Sequence, residues 1–331
     1  MDLTLHKDSS AFVTLGDDWA ALAAADPSST VFHLPQYLGI WWDEFGATRG
    51  CEGLHMLEFR DGQELAGVAT LAVYPDGVTR FVGDPDVTDY LGPLSRPRDR
   101  QHVANEVVKH AIEIAADRPI ELHALPVDSG WPEAFELAAK AAGRGAAISE
   151  QDACPRVSLE GGWEGYLASM SGKLRHEIRR KERRLQSAGA MVTRIASAET
   201  VDEDLETFFA FTREEIGEKA DFFQHFARSA FFSALGAAFL NHALLRIVVL
   251  ELDGKPIAVD VGFSYRGTWS LYNMSYDHSM PELSPGMVLV GETVRLAAEE
   301  GCLTFDFLRG REPYKYRFGA IDASVVQIVM E

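Results

Sequence analysis

The chain has 331 residues, enough for two globular domains, and 47% of them are apolar, so each domain can bury a core. Its 31 basic and 50 acidic residues leave a net charge of −19, a field that repels polynucleotides at long range and argues against general nucleic-acid binding. No apolar run is long enough to span a membrane: the densest, residues 243–252, is interrupted by Arg246 and Glu251. Met1-Asp2-Leu3-Thr4 is not a basic segment leading into an apolar one, so no secretion signal is expected. Cys51, Cys154 and Cys302 are scattered, with neither metal-ligand nor disulfide spacing. A reducing, cytoplasmic setting and no required metal are the expectation.

In chain order, residues 35–45 predict a helix in which Trp41 and Trp42 serve packing. Residues 54–73, LHMLEFRDGQELAGVATLAV, read as a strand, an Asp-Gly turn and a second strand, a strong hairpin signal. A third strand over 78–82, a helix over 103–116, a strand over 120–124 and a helix over 131–142 ending at Gly143 follow. Residues 150–157 are expected to link two halves, with Pro155 breaking any helix. Helices are predicted over 163–170, 171–188, 198–216 and 227–241, with a Phe-rich loop over 217–226. Residues 246–265, RIVVLELDGKPIAVDVGFSY, then repeat the first hairpin, with Asp253 on Asp61 and Ala258 on Ala66, an offset of 192 residues (253 − 61). A strand over 268–275, a helix over 286–300 and a strand over 303–307 complete the second copy. The expected fold class is mixed α/β, built as an internal repeat of two domains, 1–154 and 155–331.

Four stretches carry a family resemblance: PQYLGIWWDEFG at 35–46, DYLGPL at 89–94, SGKLRHEIRRKERRL at 171–185, and the run from LDGKPIAVDVGF through SPG to DFLRGREPYKYRFG over 252–319. Through them the chain resembles the CelD-type branch of the GNAT acyltransferases, named for a role in bacterial cellulose (polysaccharide) biosynthesis. That branch shares a two-domain arrangement with the Fem-type aminoacyl ligases. The resemblance implies two tandem GNAT domains, a degenerate first one serving substrate or scaffold, and a second one that binds the acyl donor and does the chemistry. The implied activity moves an acyl group from acetyl-CoA or another acyl-CoA to an amine or hydroxyl by direct attack. The acceptor is expected to be a small molecule or a peptide or sugar amine. A Fem-like ligase drawing on aminoacyl-tRNA is one alternative. A non-catalytic scaffold in a cell-envelope pathway is another.

The candidate site follows from the residues. Ser284-Pro285-Gly286 opens a helix: Ser can cap it, Pro suits its first turn and Gly permits close approach. Free N–H groups of Gly286 and Met287 and the helix dipole would draw a pyrophosphate. No Arg or Lys lies between Gly267 and Arg295, a departure from the GNAT pattern. Tyr272 and Asn273 are candidates to line the opening of the strand whose backbone would polarise the acyl carbonyl. Asp306, Arg309, Tyr314 and Lys315 form a dense polar cluster after an apolar strand, with Asp306 orienting an amine or pairing with Arg309, and Lys315 stabilising developing charge. Seven cations lie within 173–184, and Arg175, Arg179 and Arg183 recur at i, i+4 opposite the apolar stripe of Leu174, Ile178 and Leu185; Arg175 and Arg179 are the candidates for gathering phosphates. Asp89 could hold or deprotonate the acceptor amine, with Tyr90 beside it, and His225 could form a wall or act as base.

Overall fold

A computed structural model describes residues 1–46, 48, 50–83, 87–214, 226–240 and 242–331, with backbone alone at 226–228. The chain folds into two compact units, Met1–Ala153 with Ala323–Glu331, and Cys154–Asp322. The division runs between Ala153 and Cys154, and the last strand rejoins the first unit.

The first unit contains β1 (Asp2–His6), β2 (Glu52–Asp61), β3 (Glu64–Val73), β4 (Thr79–Phe81), β5 (Leu94–Ser95) and β6 (Ile120–Pro126). They lie in the order β1-β2-β3-β4-β6, and β5 pairs with β3. Every residue of β3 from Leu65 to Val73 is buried. Its near-continuous apolar run is that of a strand covered on both faces, not an alternating one. The helices are α1 (Ala11–Thr14), α2 (Gly16–Ala25), α3 (Pro35–Trp41), α4 (Arg100–Ala115) and α5 (Trp131–Ala141). Trp131 of α5 stacks on Phe135 at 5.6 Å, and both join Val103, Val107 and Ala111 of α4 in one core. Trp41 is fully buried and Trp42 half-buried.

The second unit begins within β7 (Ala146–Ser158) and continues through α6 (Gly162–Ser169), α7 (Gly172–Gln186), β8 (Met191–Ile195), α8 (Val201–Glu214), α9 (Phe226–Phe239), β9 (Leu245–Leu252), β10 (Lys255–Tyr265), β11 (Thr268–Tyr276), α10 (Pro285–Glu299), β12 (Thr304–Asp306) and α11 (Pro313–Tyr316). The last strand, β13 (Ile321–Met330), runs antiparallel to β6 of the first unit. Strands of the second unit lie in the order β7-β12-β11-β10-β9-β8, all antiparallel except β11 and β12. The segment over 150–157 is strand, and the division between the two units falls within it. Pro155 lacks an N–H, yet its carbonyl accepts from the Phe307 N–H at 2.9 Å, so the strand tolerates it.

Alternation along β10 assigns its two faces. Asp260 faces α10, where Thr293 hydrogen-bonds it. Phe263 faces the other way, packing on Phe239 of α9 and on Tyr272. The sheet of this unit is therefore covered on both faces, with α8 and α9 on one and α6, α7 and α10 on the other.

The two hairpins follow one plan, in a register that differs from the sequence alignment. In the first, Asp61 pairs with Glu64 across Gly62-Gln63, and Ala66 is an extra, unpaired residue. In the second, Leu252 pairs with Lys255 across Asp253-Gly254, and Ile257 is the extra residue. Closing pair and bulge both superpose at an offset of 191 (252 − 61 and 257 − 66), one short of the sequence alignment. The turn chemistry explains the slip. Asp253 and Gly254 both have positive φ, at 51° and 75°, as a type I′ turn requires, so the Asp-Gly pair itself is the turn. In the first copy only Gly62 has positive φ, and the turn starts there.

Candidate functional site

The long helix α10 begins beside the open end of β11. β11 and β12 pair in parallel from Thr268–Thr304 to Ser270–Asp306, and there the pairing stops. β11 runs on to Tyr276, while Phe307 turns away to bond Pro155. The two strands splay at this point. Two residues further, β11 bulges: Val261 faces Asn273 and Gly262 faces Leu271, so Tyr272 is the extra residue.

A cavity of about 320 Å³ opens there, lined by Lys181, Met274, Tyr276, His278, Pro281, Ser284, Pro285, Gly286, Met287, Tyr314 and Arg317. Ser284 does not cap α10 with its side chain. It sits in the left-handed region, at φ 55° and ψ 51°, and its hydroxyl accepts instead from Lys181 Nζ at 2.8 Å. Its carbonyl takes the Val288 N–H, so the first turn presents the N–H groups of Gly286 and Met287 with Pro285 contributing none. None of the lining residues is acidic. The helix pole and two cations, Lys181 and Arg317, make the wall positive. The basic residue missing from the turn is supplied by α7. The glycine has a second reason as well: a Cβ at Gly286 would lie 2.8 Å from the Tyr276 ring, so only glycine lets the helix start seat against β11.

Tyr314 closes another part of the wall. Burial, then the nearby Glu312 and Asp260, push its phenol well above the ordinary tyrosine range, so it keeps its proton at neutral pH. Its neighbour Lys315 is 2% exposed. The ammonium donates to the carbonyls of Leu308, Arg309 and Gly310 at 3.1, 2.6 and 3.0 Å and lies 2.9 Å from Glu312. These contacts hold a loop in which Leu308 and Gly310 both have positive φ, at 57° and 108°. A branched residue in that region is strained, and Lys315 over-determines the loop against that strain. Asp306 is 2% exposed and pairs with Arg156 Nε at 2.9 Å, while its other oxygen accepts the Leu308 N–H at 2.8 Å. Three residues of the polar cluster thus build the loop that precedes α11, on which Tyr314 sits.

The cations of α7 divide. Ser171 caps the helix, accepting the Leu174 N–H at 3.3 Å. Lys181 enters the cavity. Arg175 and Arg179 do not line it; they line a separate open groove of about 630 Å³ with Gly172, His176, Glu182 and Arg183. Tyr272 stacks on Phe232 of α9 at 5.3 Å and packs on Phe263 at 5.2 Å, on the face opposite α10, so its ring does not line the cavity. The Asn273 side chain accepts the Met274 N–H at 2.9 Å. Tyr90 is 1% exposed in the core of the first unit, edge-on to Phe32 at 5.9 Å, and is therefore not a substrate-facing group. Asp89 beside it is half-buried. His225 lies outside the described residues. Among the described residues, no group of three His, Cys, Asp or Glu side chains is placed to hold a metal ion, and no helix is long and apolar enough to cross a membrane.

Six cavity residues were not singled out from sequence: Lys181, Met274, Tyr276, His278, Pro281 and Arg317. Lys181 left a trace. It falls at i+3 from Ile178 and i−4 from Leu185, on the apolar stripe itself, where a cation needs an anionic or polar partner. Tyr276 and His278, with rings 4.4 Å apart, left none.

Comparison with known proteins agrees with this architecture. Residues 172–316 match the family described as acetyltransferase (GNAT) domain. Among solved structures, FemX is 12% identical with a TM-score of 0.64, over 99% of this chain and 97% of that one. L-PGS from Bacillus licheniformis is 12% identical with a TM-score of 0.62, over 94% and 90%. A tandem GNAT protein from the clavulanic acid biosynthesis pathway is 14% identical with a TM-score of 0.50, over 99% and 98%. At these identities the likeness is one of fold. No curated protein matches the chain. The chain thus shares a mixed α/β fold with these structures, and its match to the GNAT acetyltransferase family lies within the second unit, over residues 172–316.

Proposed function

We propose that the second unit is an acyl-CoA-dependent N-acyltransferase whose donor enters the cavity at the start of α10. The observation that carries the reading is the coincidence of three features in one wall: an uncapped helix N-terminus, Lys181 bonded to Ser284, and the protonated Tyr314. Lys181, Arg317 and the N–H groups of Gly286 and Met287 receive the donor's phosphates. The thioester then lies along the β11 edge beyond Ser270, where β12 no longer covers it and a backbone donor can polarise the carbonyl. The amine attacks that carbonyl directly: the N–C bond forms, the C–S bond breaks, and Tyr314 gives its proton to the departing sulfur. The nitrogen releases one proton to solvent, and Tyr314 recovers one from solvent. Lys315 and Asp306 act as positioning residues, fixing the 308–310 loop that leads into α11, the helix that carries Tyr314. Arg309 belongs to that loop.

A second reading, an aminoacyl-tRNA-dependent ligase, draws support from the exposed cations of α7. Free thiol release from acetyl-CoA, followed across a panel of amines, separates the two. Amine-dependent release that falls at least about a hundredfold in Tyr314→Phe supports the proposal. No release with any acyl-CoA, together with turnover of an aminoacyl-tRNA, would reject it.

A further inference from the structure

The groove on α7 is distinct from the donor cavity, and its chemistry calls for a ligand of its own. At 100° per residue, the exposed arc of α7 carries Arg175, Arg179, Arg183, Arg180, Lys173 and Arg184 in sequence around the helix, and the arc ends at Lys181 on the cavity wall. Arg180 pairs with Glu177 at 2.9 Å, and Arg175 donates to the Leu167 carbonyl at 2.8 Å. Among the described residues, no carboxylate lies within ion-pair distance of Lys173, Arg175, Arg179, Arg183 or Arg184. This is the reverse of what a chain of net charge −19 offers elsewhere, where Arg80, Arg96 and Arg194 each hold two or more acids. Unpaired surface arginines at close spacing repel one another, and an anionic partner relieves that repulsion.

We propose that this cationic arc docks an acidic helix of a carrier protein that delivers the acyl group on a thioester arm into the α10 cavity. The inference rests on the acyl-transfer reading above. Two features favour an acidic protein helix over a nucleic acid. Arg175, Arg179 and Arg183 repeat every four residues, about 6 Å along the axis. Carboxylates at i, i+4 on a partner helix repeat at the same interval. Finally, a helix touches only α7, whereas an extended polyanion runs on over an acidic body that repels it. Lys181 then stands where the arm's phosphate passes from docking surface to cavity.

The test uses the full chain with three probes: a phosphopantetheinylated acyl carrier protein, coenzyme A and bulk tRNA, each titrated calorimetrically at low and high salt. The variant is Arg183→Glu with Arg184→Glu, both exposed positions. The expected result is saturable carrier binding that weakens at least about tenfold in the variant, with coenzyme A affinity and thermal midpoint unchanged. Absence of carrier binding, or carrier binding indifferent to the charge reversal, overturns the proposal. So does bulk tRNA binding more tightly than the carrier through the same two arginines. If the carrier binds as expected but neither the acetyl-loaded carrier nor acetyl-CoA acylates any amine, the acyl-transfer reading fails and the docking surface stands.

Discussion

The two units start their long helices in opposite ways. In the first, the approach to α4 neutralises itself: Arg96 holds Asp99, Asp61 at 2.9 Å and Glu64 at 3.2 Å. Arg100 lies 3.5 Å from the buried Asp26 and 5.3 Å from the Trp131 ring. In the second, the start of α10 meets no acid on its cavity wall; Lys181 bonds the neutral Ser284 hydroxyl, with Glu177 behind it at 3.7 Å. The same hairpin, strand and helix plan yields one helix start surrounded by ion pairs and one whose cavity wall carries cations without acids. The two helix starts differ in what surrounds them, not in the helices themselves.

The most severe way to break the contrast is Tyr314→Phe. Loss of a proton donor from the open pole is expected to lower kcat by about a hundredfold or more, with the thermal midpoint held. A kcat within a factor of a few of wild type would remove Tyr314 from the chemistry.

The next prediction concerns Asp260, buried beneath the site. The Thr293 hydroxyl lies within bonding reach of both the Asp260 carboxyl and the Leu289 carbonyl at 3.0 Å, and one proton cannot serve both. A neutral Asp260 that donates to Thr293 satisfies all three groups. Burial agrees, pushing the carboxyl up from 3.8 to about 8. Between those values the folded chain keeps a proton that the unfolded chain releases. Stability is therefore expected to fall as pH rises from about 4 to about 8 and to level off above. Asp260→Asn, which donates in the same place, should flatten that slope in denaturant titrations. A slope unchanged in the variant would show that Asp260 is ionised throughout.

A smaller effect is expected from Gly286→Ala. The added Cβ must displace Tyr276, at a cost of about 1–3 kcal/mol in chemical unfolding, and donor affinity should drop with it. The equivalent change at Gly62, where nothing lies within 4 Å, meets no neighbour, and the strain of its positive φ is the whole penalty.

Much of this was legible in sequence, for identifiable reasons. The hairpins announce themselves through Asp-Gly between apolar runs, and α10 through Ser284-Pro285-Gly286. What escaped was long-range. The separation of Lys181 from Ser284, 103 residues, hides the basic residue that the turn lacks. Lys315 reads as a charge near a strand end, and only the folded loop shows three carbonyls gathered on it. Asp306 also pairs with Arg156 on the neighbouring strand, 150 positions away. Tyr272 alternates correctly for the cavity face, and a bulge turns it to the other side. The one-residue error in the repeat has the same character: identical Asp-Gly letters adopt two turn types.

The central claim is that the start of α10 receives the donor's phosphates while the start of α4 is closed. Calorimetric titration of coenzyme A into wild type, Lys181→Ala and Arg96→Ala tests it most directly. The account predicts saturable binding that weakens with salt, a loss of about tenfold in Lys181→Ala, and none in Arg96→Ala, whose ion pairs with exposed acids are worth about 1 kcal/mol or less of stability. Coenzyme A binding that is unaffected by Lys181→Ala, or that is lost in Arg96→Ala with the fold intact, would contradict it.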